Sequence, residues 1–394
     1  MVIIVLIIMS QLHEKIFQAL KILLNIEQNF IPLHEPSFDG KEWQYVKECL
    51  GTGWVSTAGK FVDEFELQLA QYTRSKYAIA VVNGTSALHI CLKLAGVKPN
   101  DEVIIPALTF VATANAVSYC SAIPHFVDSE EKTLGLDPVK LEKYLEIIAE
   151  IDNNECFNKN TGRRIKAVVP VHTFGHPVDI DYIKEICNNF SVVLIEDAAE
   201  SLGSFYKKRH TGLDGLMSAL SFNGNKIIST GGGGAILTND ESLAKQARHL
   251  TTTAKIPHKW EYIHDELGYN YRMPNINAAL GCAQLEQMTG ILQCKRYLAK
   301  RYEKVFNEIQ GVRFFTEPEF AKSNYWLNCI LLDIPDLELR DKILKITNEN
   351  GIMTRPTWTL LNQLPMYKDC PKMTLTTAEK LSARLINIPS SANL

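Results

Sequence analysis

Short, β-branched apolar runs alternate with longer helical patterns along most of this 394-residue chain. The alternation predicts strands over 77–82, 102–105, 124–127, 165–171 and 191–195, and helices over 86–95, 112–119, 138–151 and 180–188. This order is typical of an α/β fold whose mostly parallel sheet is covered by helices on both faces. Sheets of this kind bind their ligands at the carboxyl ends of the strands.

The pattern changes near residues 255–275, after which helical segments extend to about 310 and a mixed tail follows. We therefore expect three parts: an N-terminal extension over 1–30, a large domain over 31–265 and a smaller C-terminal α/β domain over 266–394. The polar stretch Asn153–Arg164 is predicted to be a surface loop.

The chain begins with an unbroken apolar run, Met1–Met9. This run is too short to span a bilayer, which takes about 20 residues. A second, amphipathic stretch from Ile16 to Ile26 has apolar residues at helical spacing. Three interpretations stay open: an upstream mis-start before Met9, a helix that docks on the protein, or a weak membrane-surface helix.

Charge and cysteine usage exclude several classes of protein. The chain has 41 basic and 44 acidic residues, so no basic surplus indicates a nucleic-acid partner. Its nine cysteines form no C-x-x-C pair, which predicts reduced thiols and a cytoplasmic location.

We expect no metal site, since Gly175 and Pro177 interrupt the helix that would place His172 and His176 on one face.

A lysine beside a glycine run is the sharpest local feature. Lys226 lies between the apolar run Met217–Phe222 and four glycines at 231–234. A lysine in a loop inside the fold can act as a nucleophile, whereas an isolated lysine is usually a solvated surface charge. The glycines lack the Gly-Lys-Ser/Thr ending of a Walker loop, so we interpret them as a tight turn where the backbone passes close to another segment.

Three further features follow predicted strands. Glu196 and Asp197 end an apolar run, with Glu200 close behind; such acids can pair with a protonated ring nitrogen or serve the first turn of a helix. Asn83–Leu88 is a strand-to-helix turn, where N–H groups bind phosphate or a polar side chain caps the helix. Phe110 is either a stacking partner for a flat cofactor or a core aromatic.

Together, a phosphate turn, an aromatic residue, a strand-end acid and a lysine make up a site for pyridoxal phosphate (PLP). In this order and spacing they resemble the DegT/DnrJ/EryC1/StrS family of sugar aminotransferases, from about residue 31 to residue 391. The matching segments are Gly53–Ser56, Asn83–Leu88, Pro106–Asn115, Pro170–Gly175, Glu196–Ala199, Ser221–Gly234, Gly268–Met273, Arg355–Pro356 and Ile388–Ser391. The resemblance implies the aspartate-aminotransferase-like fold (fold type I).

The resemblance also implies roles for individual residues. Lys226 matches the family's Schiff-base lysine and Asp197 the acid paired with the pyridine nitrogen, which makes these two the catalytic residues. The other matches to cofactor-binding positions are Gly84, Thr85, Ser86, Phe110, Glu200, Ser221 and Asn270. Asn270 matches a residue that reaches the cofactor phosphate of the neighbouring subunit, which implies a homodimer with shared sites.

Two positions depart from the common family pattern. Glu200 stands where many members have Gln or His, near the phenolic oxygen of the cofactor, and its carboxylate would add negative charge there. Asn362 stands where many members have His, in a segment that contacts substrate. Members that dehydrate deoxysugars replace the family's lysine with His, so the presence of Lys226 favours transamination.

The implied reaction moves the amino group of L-glutamate, through pyridoxamine phosphate, to a keto sugar on a nucleotide diphosphate. Residues 31–37, 161–165 and 221–226 look closest to the branch that aminates 4-keto-6-deoxy-N-acetylhexosamines, giving 4-amino-4,6-dideoxy sugars for surface glycans. The alternatives are a 3-keto-sugar or perosamine-type aminotransferase and a non-catalytic PLP-binding regulatory protein. A further alternative is a doubly wound nucleotide-binding protein that does not need Lys226.

Overall fold

The computed structural model describes residues 11–25 and 30–394. Its helices are α1 (Leu12–Leu24), α2 (Glu42–Thr52), α3 (Lys60–Thr73), α4 (Gly84–Leu94), α5 (Ala112–Tyr119), α6 (Pro138–Ile148), α7 (Ile180–Asn189), α8 (Glu241–Thr251), α9 (Asn275–Phe306), α10 (Leu337–Glu349) and α11 (Thr376–Ser382). The longer strands are β1 (Tyr77–Val81), β2 (Glu102–Pro106), β3 (Ile123–Val127), β4 (Ala149–Asp152), β5 (Glu155–Asn158), β6 (Arg164–Val168), β7 (Val193–Asp197), β10 (Met217–Ser221), β11 (Gly234–Thr238), β14 (Val312–Phe314), β16 (Asn328–Leu332) and β18 (Leu385–Ile388). Two-residue strands complete the set: β8 (Phe205–Tyr206), β9 (Arg209–His210), β12 (Lys255–Ile256), β13 (Ile263–His264), β15 (Ala321–Lys322) and β17 (Arg355–Pro356).

The central sheet has the strand order β1-β11-β10-β7-β6-β2-β3. The pairs β10–β7, β7–β6, β6–β2 and β2–β3 are parallel, and β11 is antiparallel to both β1 and β10. The carboxyl ends of β1, β2, β7 and β10 therefore lie along one edge of the sheet. The predicted fold class, a mostly parallel sheet inside an α/β fold, is confirmed.

Helices cover both faces of this sheet. Alternate side chains of β2 enter two different cores, with Val103 and Ile105 on one face and Ile104 on the other. Because side chains alternate along a strand, this division requires apolar packing on each side of the sheet. The continuous apolar runs in the sequence reflect this two-sided burial.

The prediction of a surface loop over Asn153–Arg164 is wrong. Helix α6 ends at Ile148 rather than at 151, and β4 and β5 form an antiparallel hairpin that continues the sheet from β6. Asn153 and Asn154 have φ values of 49° and 62°, as a two-residue hairpin turn requires. The polar residues of this segment show no strand pattern, and the Asn153-Asn154 pair is the sequence feature that indicates a hairpin turn.

The long helix α9 takes part in two apolar cores. Its first half packs with α3 and with one face of β1, β10 and β11, through residues such as Ala278 and Cys282. Its second half packs with the antiparallel sheet β14-β16-β18-β17, through Leu298 and Tyr302. The division into domains at residue 265 stays a prediction, and it places this helix in the smaller domain.

Helix α1 docks on the C-terminal part of the chain. Its apolar face, including Ile16 and Leu20, is fully buried in the core that also holds β16 and α10. Arg301 on α9 donates hydrogen bonds to the backbone oxygen of Leu23 and, at 2.7 Å, to that of Leu394. Of the three interpretations, docking describes α1, while Met1–Met9 lies outside the described residues.

Within residues 11–25 and 30–394, no helix combines the length and the apolar character that a membrane crossing needs.

We predict that Leu20→Ala lowers the free energy of unfolding by about 2–5 kcal/mol, because it leaves a cavity beneath α1. The matched control is Ile22→Ala on the same helix, where the side chain is 78% exposed and the cost stays within about 0.5 kcal/mol. Urea unfolding of both variants checks this. Equal effects would show that α1 is not docked in solution.

Candidate active site

A cavity opens where the carboxyl ends of β1, β2, β7 and β10 meet. Seven of the residues predicted for the site line it: Gly84, Thr85, Phe110, Asp197, Glu200, Ser221 and Lys226. Ser86 lies one residue further into α4 and is buried. The cavity also receives Trp326 and Trp358 from the C-terminal part of the chain.

The turn into α4 offers free N–H groups to the cavity. Asn83 caps the helix, since its Oδ1 accepts from the Ser86 N–H at 2.8 Å. The N–H groups of Gly84 and Thr85, at the first two helical positions, have no acceptor within the helix. A Cβ on Gly84 would lie 2.9 Å from the Ser221 Cβ, so only glycine leaves this cradle open. An anion is the natural ligand of such a helix start.

The glycine run ends in the close approach that the sequence predicts. A Cβ on Gly234 would lie 2.4 Å from the backbone carbonyl carbon of Asn83. Strand β11 therefore passes directly against the turn before α4, and a side chain here would push the turn away.

Asp197 ends β7 as a buried carboxylate. Its Oδ2 accepts from the Thr113 hydroxyl at 2.8 Å and its Oδ1 from the Ala199 N–H at 3.2 Å. Burial raises the pKa of Asp197 above its ordinary value, although these hydrogen bonds and Lys226 lower it. A carboxyl group in this state is stabilised by a cation in the cavity.

The neighbouring acid, Glu196, points to the other face and organises the loops. It accepts from the N–H groups of Gly212, Asp214 and Gly215 at 2.7–2.9 Å. The fourth partner is the His172 imidazole at 3.0 Å. Burial raises the pKa of Glu196, but His172 and the backbone N–H groups outweigh it and leave that pKa below its ordinary value.

Lys226 and Glu200 face each other across the cavity. The Lys226 Nζ lies 3.5 Å from the Glu200 Oε1 and 3.8 Å from the centre of the Trp326 ring. The other carboxylate oxygen, Oε2, accepts from the Phe174 N–H at 2.8 Å. Burial raises the pKa of Glu200 to about 7, although Lys226 opposes this shift.

Aromatic residues that the sequence analysis missed form one wall. Trp326 is fixed by a hydrogen bond from its Nε1 to the Asn225 oxygen at 2.6 Å. Trp358 packs against Phe174 with ring centres 4.9 Å apart, and it lies 6.3 Å from Phe110. Both tryptophans lie at least 100 residues from Lys226 in sequence, so local spacing carried no signal for them. Phe110 is 51% exposed, which contradicts a core role.

Four other positions lie apart from this cavity. Asn270 is exposed and does not line it, so this chain alone does not bring Asn270 to the site. Asn362 lies in a short 3-10 helix, and its buried Oδ1 has no hydrogen-bond partner among the described residues. His172 pairs with Glu196, while His176 packs between Phe315 and Tyr325, so they do not form a ligand pair.

The residues present fit PLP on two independent observations. The open N–H cradle at Gly84 and Thr85 suits a phosphate. The buried Asp197 carboxyl has a raised pKa and hydrogen bonds only from neutral donors, so it suits a protonated ring nitrogen. Lys226 lies in the same cavity and can hold an aldehyde covalently.

Known proteins similar to this chain are aminotransferases of one family. The model of the DegT/DnrJ/EryC1/StrS aminotransferase family matches residues 36–394. GDP-perosamine synthases from Escherichia coli O157:H7 and Caulobacter vibrioides are 38% and 37% identical, covering 93% and 92% of this chain and 94% of each relative. The PLP form of the putative sugar aminotransferase Spr1654 from Streptococcus pneumoniae superposes with a TM-score of 0.83, at 25% identity over 93% of this chain and 94% of that one.

We predict that Glu196→Gln destabilises the protein by about 3–5 kcal/mol at pH 7, because the buried donors lose their charged acceptor. The pKa of Glu196 is below its ordinary value of 4.5 in the folded state. The stabilisation is therefore present above pH 4.5 and is lost as the pH falls through the folded pKa. Denaturant unfolding across pH checks this, with Glu146→Gln at an exposed position of α6 as control. A pH-independent difference would contradict it.

Proposed function

This chain belongs to the DegT/DnrJ/EryC1/StrS aminotransferase family, and we propose that it moves the amino group of glutamate to C4 of a nucleotide-linked 4-keto-6-deoxy sugar. The chain is a sugar aminotransferase that uses PLP. The observation that carries the proposed transamination is one cavity that joins a lysine amine, a buried strand-end carboxyl and an open helix start.

Several residues of the cavity have a definite role in this proposal. The Gly84 and Thr85 N–H groups and the Ser221 hydroxyl bind the phosphate, while Asp197 holds a proton on the ring nitrogen. When bound, PLP supplies an electron sink for the bonds at the amino-bearing carbon. Lys226 holds the cofactor in the resting protein, and its amine moves protons between carbons once it is free. Phe110 stacks on the cofactor ring, and Trp326 and Trp358 keep water from the reacting atoms.

The identity of the acceptor sugar is the finer part of the proposal. The names of the relatives from Escherichia coli and Caulobacter vibrioides support the perosamine-type acceptor over the N-acetylhexosamine. The segments 31–37, 161–165 and 221–226 favour the N-acetylhexosamine by resemblance. Both acceptors offer a 4-keto-6-deoxy ring, and we take that ring as the shared requirement.

We predict that Lys226→Ala lowers transamination of a nucleotide-linked 4-keto-6-deoxy sugar by roughly 10²–10⁴-fold or more, because it removes the proton-transferring amine. The exposed Lys245→Ala serves as the control. The assay is 2-oxoglutarate release with GDP- and UDP-linked 4-keto sugars, with and without a 2-acetamido group, and with 3-keto sugars. Retained turnover in Lys226→Ala would contradict the proposal. Turnover of 3-keto sugars alone would show that the acceptor is a 3-keto sugar and not a 4-keto-6-deoxy sugar.

A homodimer with shared sites belongs to the same proposal. Large apolar side chains are exposed just before Asn270, among them Trp260 at 74%, Tyr262 at 80% and Leu267 at 79%. A patch of this kind marks an interaction surface. A second copy of the chain placed there would cover the patch and bring its own Asn270 to the cofactor phosphate. We also propose that the protein works in the cytoplasm, where its free thiols stay reduced.

We predict that Asn270→Asp weakens PLP binding, because its charge repels the phosphate, and that mixing it with Lys226→Ala restores activity. A mixed dimer contains one intact site, so random mixing restores roughly a quarter of the wild-type activity. Asn154→Asp at the tip of the β4–β5 hairpin is the matched control. A mixture no more active than its components would contradict shared sites.

A further inference from the structure

Glu200 is a buried carboxyl group whose two oxygens have different partners. Its Oε2 accepts from the Phe174 N–H at 2.8 Å. Phe174 has φ 55°, a left-handed conformation that is uncommon outside glycine, and this hydrogen bond helps to hold it. The Asn324 amide donates to the Glu200 backbone oxygen at 2.9 Å, so hydrogen bonds hold both the backbone and the carboxyl group of Glu200. The second oxygen, Oε1, is left to face Lys226.

The charges around the cavity do not balance once a cofactor enters. Asp197, Glu200 and Lys226 are the charged side chains among the described residues that line it. In the proposed function, Lys226 and Asp197 both engage PLP, and the phosphate brings further negative charge. Glu200 then loses its nearby cation while it stays buried, and an unpaired buried carboxylate is costly.

We propose that Glu200 takes up a proton from solvent when PLP binds, and that its Oε1–H then donates a hydrogen bond to the cofactor. The proton goes to Oε1 because Oε2 remains the acceptor for the Phe174 N–H. Glu200 would thereby act as the neutral donor that an amide side chain provides at this position. This inference rests on the proposed roles of Lys226 and Asp197.

The electrostatic surroundings fit a group that changes charge near neutral pH. Burial raises the pKa of Glu200 to about 7; Lys226 and the Phe174 N–H lower it, and Asp197 raises it. Without PLP, the Lys226 amine 3.5 Å from Oε1 stabilises the ionised form of Glu200. Removal of the Lys226 charge shifts the pKa upward, and the carboxyl group becomes protonated.

The test is calorimetry of PLP binding to the unloaded protein at pH 8, in buffers with different ionisation enthalpies. The dependence of the heat on buffer gives the number of protons taken up. We expect wild type to take up close to one more proton per site than Glu200→Gln, because protons exchanged at Lys226 and PLP are common to both. Equal uptake by the two proteins would overturn the proposal.

The control is Glu130→Gln, since Glu130 is a half-buried glutamate outside the cavity whose pKa burial also raises. We expect it to take up as many protons as wild type. If Glu130→Gln lost the same proton as Glu200→Gln, the uptake would not belong to Glu200, and the proposal would fail.

A measurement on wild type alone covers the case in which Glu200→Gln does not fold or bind. We expect the infrared difference spectrum between loaded and unloaded protein at pH 8 to show a new protonated-carboxyl band that shifts in D₂O. PLP carries no carboxyl group, so the band must come from the protein. Absence of the band overturns the inference while PLP binding stands. Failure of wild type to bind PLP overturns the proposed site as well.

Discussion

The buried carboxylate of Glu196 is the interaction on which the active-site edge depends. It joins the end of β7 to three backbone N–H groups of the loop at 212–215 and to His172. This network fixes the direction of the next residue, so that Asp197 faces the opposite side and meets Thr113. Two adjacent acids thus separate into a structural carboxylate and a functional one, because the strand alternates their side chains between faces.

Burial then sets the chemistry of the cavity. Asp197 and Glu200 both have pKa values raised by desolvation, and the Lys226 amine lies close to Glu200 and over the Trp326 ring. A flat, positively polarised ring with a phosphate at one end satisfies the Asp197 carboxyl and the helix start together. Lys226 is the one basic side chain among the described residues that line the cavity. Once it engages PLP, Glu200 is neutralised by a proton. The constraint is one of charge balance in a medium of low dielectric constant.

The sequence allowed the fold class and most of the site to be predicted, because both depend on local order along the chain. Asp197 ends a strand, while Lys226, Phe110 and the turn at Gly84 come after strands. Parallel strands bring their carboxyl ends together. Trp326 and Trp358 could not be found in this way, because tertiary packing alone brings them to the cavity. The β4–β5 hairpin was missed because its polar residues lack the apolar alternation of a strand. Asn270 lies outside the cavity of this chain, and its role at a partner's cofactor phosphate stays a proposal.

Borohydride reduction of the PLP-loaded wild-type protein, followed by peptide mapping, tests the central claim most directly. The account predicts a single reduced PLP adduct, located on Lys226, and its disappearance when glutamate is added before the reductant. An adduct on another lysine, or no adduct in a protein saturated with PLP, would contradict the assignment of the cavity as the catalytic site.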